Sequence, residues 1–169
     1  MMFGPQEQDS SPLDRLKRRE TWVRLACIST FVNLSIILFF TLYPLNFAFN
    51  VALIAESMRE IDWDLFQDVS RGRSYGLDLI SNILLFAPFA VSWTVWQGLN
   101  NRASGSRVVF ETAVICMMIS ICIECSQLLL PGRSTQLADV STNTLGATIA
   151  ALLTAGVLSE IDPQFKSPL

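Results

Sequence analysis

From Leu25 to Tyr43 the chain runs without a single charged residue. At 1.5 Å per residue such a stretch is long enough to cross about 30 Å of hydrocarbon as a helix. Pro44 ends it, so a first span covers about Trp22 to Tyr43. Three more apolar runs follow, at about 77–99, 108–130 and 140–158. The fold class that follows is all-α: a polytopic membrane protein of four transmembrane helices arranged as two hairpins. Composition agrees, with 51% hydrophobic and only 16% charged residues and a mean hydropathy of +0.42.

The connections divide the chain. Residues 1–21 form a polar, then basic, N-terminal segment ending in Leu13-Asp-Arg-Leu-Lys-Arg-Arg-Glu20, an amphipathic approach to the membrane. A signal peptide is the competing reading, but the apolar run is long and no Ala-x-Ala-like site follows it. Residues 22–158 hold the four spans, and 159–169 are a short tail. The longest connection, Leu45 to Gly76, mixes five carboxylates with Phe47, Phe49, Trp63 and Phe66. It reads as a partly ordered loop on the membrane surface, with a short interfacial helix around Val51 to Met58. Pro88 interrupts the second span, and Trp93 and Trp96 lie near that span's far end, where amphipathic rings favour the interface.

Charge sets orientation. Eight Lys and Arg fall on the side of both termini and four on the other (Arg59, Arg71, Arg73 and Arg133). By the positive-inside rule the termini are cytoplasmic, in a bacterial inner membrane, and the Pro131-Gly132-Arg133 turn faces outward. A net charge of −3, a pI near 4.9 and the lack of a basic stripe exclude nucleic acid as a partner.

Chemistry is constrained by what is missing. The chain has no His, which removes the commonest general base and metal ligand together. Its four Cys all lie inside apolar runs and form no secreted disulfide framework. Cys122-Ile-Glu-Cys125 raises a quinone-linked thiol oxidoreductase, yet such an enzyme needs a second solvent-reachable thiol pair, and Cys27 and Cys116 are separate.

Polar residues instead gather around the Pro-Gly turn. Asp78/Asn82 and Asp139/Asn143 each stand four apart, one turn along a helix face, and Glu124 and Gln127 stand three apart on another. A charge near the middle of a span costs roughly 2.5–3.5 kcal/mol on insertion scales, so Glu124 should face the bundle interior or be paired. Asp78 and Asp139 equally suit helix capping, and the two Asn suit interhelical hydrogen bonds. The stretches 73–84 and 133–145 share Arg-Ser and then Asp-x-x-Ser/Thr-Asn-x-Leu, which points to a parallel internal repeat of the two hairpins. Gly146, Ala147, Ala150, Ala151 and Ala155 give span four a small-residue face for close helix packing, which leaves room for a homo-oligomer or a membrane partner.

Three stretches together carry a family resemblance: Asn82-Ile-Leu-Leu-Phe-Ala-Pro-Phe89, Glu124-Cys-Ser-Gln-Leu-Leu-Leu-Pro-Gly-Arg133 and Asp139-Val-Ser-Thr-Asn-Thr-Leu-Gly146. They closely resemble the VanZ-like family, named for a membrane protein linked to teicoplanin resistance. Ala90 stands where that family often has Gly. The resemblance implies a small multi-pass bacterial membrane protein, in places tied to glycopeptide resistance, with its polar pattern on Asp78, Asn82, Pro88, Glu124, Gln127, Arg133, Asp139, Asn143 and Gly146.

The expected activity is binding rather than catalysis. An outward site of Asp78, Asn82, Glu124, Gln127, Arg133, Asp139 and Asn143 would take a lipid, a lipid-linked envelope precursor or a lipoglycopeptide, with no metal and no cofactor, and would affect glycopeptide susceptibility. Arg133 would meet an anionic head and Glu124 and Gln127 would hydrogen-bond deeper. Two alternatives stand beside it: an intramembrane hydrolase or transferase with Glu124 as acid/base and paired carboxylates holding a divalent cation, and a structural or assembly subunit.

Overall fold

The structure, a computed structural model, describes residues 12–63, 73–101, 104–133 and 135–161, with the side chains of 12–16, 73–79 and 101 outside that description. Five helices follow one another among the described residues: α1 (Pro12–Leu42), α2 (Val51–Arg59), α3 (Arg73–Asn101), α4 (Gly105–Gln127) and α5 (Leu137–Ile161). Among the described residues there is no strand, only one isolated parallel bridge between Asp62 and Gln136. Three stretches of the described residues are long and apolar enough to cross a membrane: Lys17–Leu42, Gly105–Gln127 and Leu137–Ile161. α3 carries Ser81, Asn82, Pro88, Ser92 and Thr94 along its length.

α3 is the hub. It packs against α5 above all, and against α1 and α4. Phe86, Phe89 and Ala90 of α3 meet Ile37 of α1, Cys116 and Ile123 of α4, and Ala147 and Ala150 of α5 in one buried cluster. Trp93 stacks on Phe89 with centroids 6.0 Å apart, and Trp96 meets Trp93 edge-on at 5.2 Å.

In a bilayer the lipid is as apolar as the core, so helices sort by size and polarity rather than by hydrophobicity. α4 buries Val108, Thr112, Cys116, Ser120 and Glu124, spaced four apart, and exposes Phe110, Met117, Met118 and Ile121. α5 buries Ala138, Asn143, Gly146, Ala147, Ala150, Ala151 and Ala155 while exposing Leu145, Ile149, Leu152, Leu153 and Val157. The small-residue face of α5 is thus taken up by neighbouring helices of the same chain. At Gly146 a Cβ would lie 2.8 Å from the Cα of Ile83, so only glycine allows α3 and α5 to approach this closely.

Polar links then fix each pairing. Asn33 of α1 donates to the Pro88 carbonyl (3.1 Å) and to Ser92 Oγ (3.3 Å) of α3. Thr94 of α3 and Thr112 of α4 share a buried hydrogen bond of 3.2 Å. Asn143 of α5 donates to Ser120 Oγ of α4 at 2.9 Å. Such links contribute about 0.6–2 kcal/mol each in a membrane. Arg19, near one end of α1, donates to the carbonyl of Leu99, near the opposite end of α3, so α1 and α3 are antiparallel. α3 and α5 run the same way: Asn82 meets Asp139 near both helix starts, while Thr94, further along α3, meets Thr112 of α4, whose neighbour Val108 packs on Ala155 near the end of α5.

Residues 43–63, after α1, form a strap; the rest of the connection expected to lie on the membrane surface, 64–72, is outside the described residues. Asn50 caps α2, its Oδ1 accepting from the Ala52 N–H at 2.9 Å. The short helix expected around Val51 to Met58 is there, one residue longer, and buries none of its residues. The strap is tied to the α4–α5 turn by three backbone bonds: Ala48 N–H to the Leu129 carbonyl, Asp62 N–H to the Thr135 carbonyl, and Leu137 N–H to the Asp62 carbonyl.

Candidate functional site

The α4–α5 turn is built by its own sequence. Leu128, Leu129 and Leu130 wind down the end of α4, their N–H groups donating to the carbonyls of Glu124, Ser126 and Gln127. Pro131 and Gly132 then occupy the centre of a tight turn closed by Arg133 N–H on the Leu130 carbonyl at 3.2 Å. Gly132 has φ +78°, the value the third residue of a type II turn needs and one that side-chain-bearing residues rarely adopt. Leu130 anchors the turn in the bundle at 2% exposure.

Glu124 holds the descending limb. It is 6% exposed, and its Oε2 accepts the backbone N–H of Gln136 at 3.0 Å. Its carbonyl also accepts from Thr135 Oγ1 at 3.3 Å. One residue on α4 therefore carries two bonds to the segment that leads into α5. Gln127, buried one turn further along, reaches α1: its Nε2 donates to the Thr41 carbonyl at 3.2 Å. Arg133 reaches the same helix end, its Nη2 donating to the Tyr43 carbonyl at 3.0 Å. From α3, Asn82 donates its Nδ2 to Asp139 Oδ1 on α5 at 2.7 Å.

These ties enclose a polar cleft of about 310 Å³, lined by Ser81, Asn82, Gln127, Gly132, Arg133, Gln136 and Asp139. The cleft draws on α3, the end of α4, the turn and the start of α5, with the end of α1 clamped beside it. Four of the expected site residues meet there: Asn82, Gln127, Arg133 and Asp139. Glu124 is not in the lining but stands beneath it as the support of Gln136. Asn143 lies a turn deeper than Asp139, paired with Ser120, and its Oδ1 is a buried acceptor without a partner. Asp78 sits in the first turns of α3, and its side chain is outside the described residues. Ser81 and Gln136 join the cleft without having been expected to line it, although both lie within the paired motifs at 73–84 and 133–145.

The donor pattern determines what the cleft can do. Asn82 and Gln127 each spend an N–H on the protein, which leaves their amide carbonyls as acceptors. Arg133 is exposed and always charged, with five N–H donors of which one goes to Tyr43. A fixed cation beside amide acceptors suits an anionic group that also carries hydroxyl or N–H donors. No group of three or more Cys, Asp or Glu side chains able to hold a metal occurs among the described residues. Cys122 and Cys125 are free and exposed, and Cys116 is free and buried.

The model of the VanZ/LLP1 family matches residues 26–158, from the middle of α1 to the last turn of α5. The chain belongs to the VanZ/LLP1 family. The match takes in the whole of α2, α3 and α4, parts of α1 and α5, and all seven residues lining the cleft of this VanZ/LLP1 protein. No curated protein and no solved structure matches the chain.

Proposed function

We propose that this VanZ/LLP1 protein binds a membrane amphiphile by its polar head, with the cleft at the α4–α5 turn as the binding site. The observation that carries the reading is Arg133, an exposed guanidinium tied to the end of α1 and standing over a cleft of uncharged hydrogen-bonding groups and Asp139. Arg133 meets a phosphate or carboxylate, and the amide carbonyls of Asn82 and Gln127 accept from hydroxyl or N–H groups of the same head. Glu124 and Asp139 hold the cleft's shape. A membrane lipid, a lipid-linked envelope precursor and a lipoglycopeptide share this chemistry, and capture of the last two is the route by which the protein would alter glycopeptide susceptibility.

In the same reading α3 is the fourth span, since it packs lengthwise against three helices that are each long and apolar enough to cross the bilayer. The parallel course of α3 and α5 is the arrangement a parallel repeat of two hairpins would produce. The distribution of Lys and Arg supports cytoplasmic termini and a cleft in the outer leaflet. A cysteine at position 132 should react with a membrane-impermeant maleimide added outside intact cells; labelling only after lysis would reverse the orientation.

The binding test compares phosphatidylglycerol, which has a phosphate and hydroxyls, with zwitterionic phosphatidylcholine in matched detergent micelles. Phosphatidylglycerol should bind more tightly, and Arg133→Ala should abolish the preference. Equal binding of the two lipids by the native protein would defeat the proposal.

A further inference from the structure

The lining of the cleft includes two charged side chains, Arg133 and Asp139, and they are of opposite sign. Arg133 leaves the Pro-Gly turn, and its Nη2 donates to the Tyr43 carbonyl beyond the end of α1 at 3.0 Å. Asp139 stands in the first turn of α5, where the helix dipole favours a negative charge. Its Oδ1 accepts from Asn82 Nδ2 of α3 at 2.7 Å. Uncharged partners on two different sides of the bundle thus hold the two side chains, one toward α1 and the other toward α3.

A cleft with a fixed cation alone is complementary to any phosphate or carboxylate. A fixed anion in the same cleft adds a second requirement, because it repels a head that is anionic throughout and attracts a positive group. An ionised carboxylate offers several lone-pair sites, so bonds to the protein do not exhaust Asp139. A hydroxyl would meet it as a neutral donor. A primary ammonium brings three N–H donors and charge-assisted bonds that are about twice as strong. A trimethylated ammonium keeps the charge and has no donor at all. Size narrows the choice further: at about 310 Å³ the cleft lies at the low end of the roughly 300–1,000 Å³ typical of ligand sites. It suits a phosphate joined to a short amine better than a large glycopeptide.

We propose that the cleft selects a lipid head in which a phosphate is joined by a short link to a primary ammonium, with Arg133 on the phosphate and Asp139 on the ammonium. The inference rests on the headgroup reading of the cleft and names the class of head. It makes Asp139 a specificity-determining residue as well as a tie to Asn82. The amide carbonyls of Asn82 and Gln127, whose N–H groups are engaged with the protein, accept the ammonium's remaining donors. Phosphatidylethanolamine is a membrane lipid with this chemistry.

The experiment measures binding of the dioleoyl forms of phosphatidylethanolamine, phosphatidylglycerol and phosphatidylcholine to the full-length protein by native mass spectrometry in the same micelles. The native chain should hold phosphatidylethanolamine above phosphatidylglycerol, and phosphatidylglycerol above phosphatidylcholine. Asp139→Asn keeps an oxygen to accept from Asn82 and removes the charge. It should lower the ratio of phosphatidylethanolamine to phosphatidylglycerol bound roughly tenfold. The native chain decides the matter if that variant does not fold, because each N-methyl added to phosphatidylethanolamine removes a donor and should weaken binding in steps. An unaltered ratio in folded Asp139→Asn would overturn the proposal, as would equal native binding of phosphatidylethanolamine and phosphatidylcholine. Displacement of the lipid by an equal concentration of soluble phosphoethanolamine would assign the cleft to a free solute and overturn it too. If phosphatidylglycerol still exceeds phosphatidylcholine and Arg133→Ala removes that preference while Asp139→Asn changes nothing, the ammonium assignment fails and the anionic-group reading stands. If Arg133→Ala leaves all three ratios as they were, the headgroup reading fails and the proposal with it.

Discussion

Replacing Glu124 by Ala removes the acceptor that holds the Gln136 N–H at 3.0 Å beneath the cleft. A buried N–H left unpaired costs about 1–3 kcal/mol, and losing the one buried γ-methylene adds about 0.8 kcal/mol. The Thr135 bond to the Glu124 carbonyl is to the main chain and survives the change. Glu124→Ala should therefore cost about 3 kcal/mol, whereas Glu124→Gln keeps the methylenes and a carbonyl acceptor and should cost about 1 kcal/mol. At roughly 2–4 °C per kcal/mol for a chain of this size, the melting temperature falls by about 6–12 °C for Ala and about 2–4 °C for Gln. Differential scanning fluorimetry in one detergent reads both, and hydrogen exchange at the Gln136 amide should rise sharply in the Ala variant alone. The competing physics is that burying a carboxyl is itself costly and an apolar replacement can be neutral. Equal stability of Glu124→Ala and the native chain would refute the assignment of Glu124 as the support of the cleft.

Other consequences follow from the same contacts. Gly146→Ala places a Cβ 2.8 Å from the Ile83 Cα and should cost about 1–3 kcal/mol by overpacking; a disulfide between cysteines introduced at 82 and 139 should form less readily in that background. Gly132→Ala puts a side chain at φ +78° and should cost about 1–2 kcal/mol, seen as a lower melting temperature. Gln127→Ala frees the Thr41 carbonyl of α1 and should cost about 1 kcal/mol, with faster proteolysis around Tyr43 and Pro44 as the readout.

Much of this architecture was legible in the chain because membrane helices announce themselves by length and apolarity. The uncharged run after Leu25, the Pro-Gly turn and the four-residue spacings all have their counterparts in α1, the α4–α5 turn and the buried stripes of α4 and α5. Spacing says which residues share a face, but not which neighbour that face meets. That is why Glu124, read as a contact for the ligand, turns out to bond the backbone at Gln136, and why Asn143 pairs with Ser120 below the cleft. The strap's bonds to Leu129 and Thr135 are backbone to backbone and leave no mark in side-chain pattern. Asn33 was hidden in an otherwise apolar run, although a lone amide in a span is itself a sign of an interhelical hydrogen bond.

The most direct test of the cleft as a headgroup site is native mass spectrometry of the native protein and Arg133→Ala purified in parallel from the same membranes. The account predicts a retained lipid with an anionic group in its head on the native chain and its loss from Arg133→Ala, with the melting temperature lowered by no more than about 2–4 °C for the lost Tyr43 bond. Identical lipid occupancy in the two proteins would contradict it.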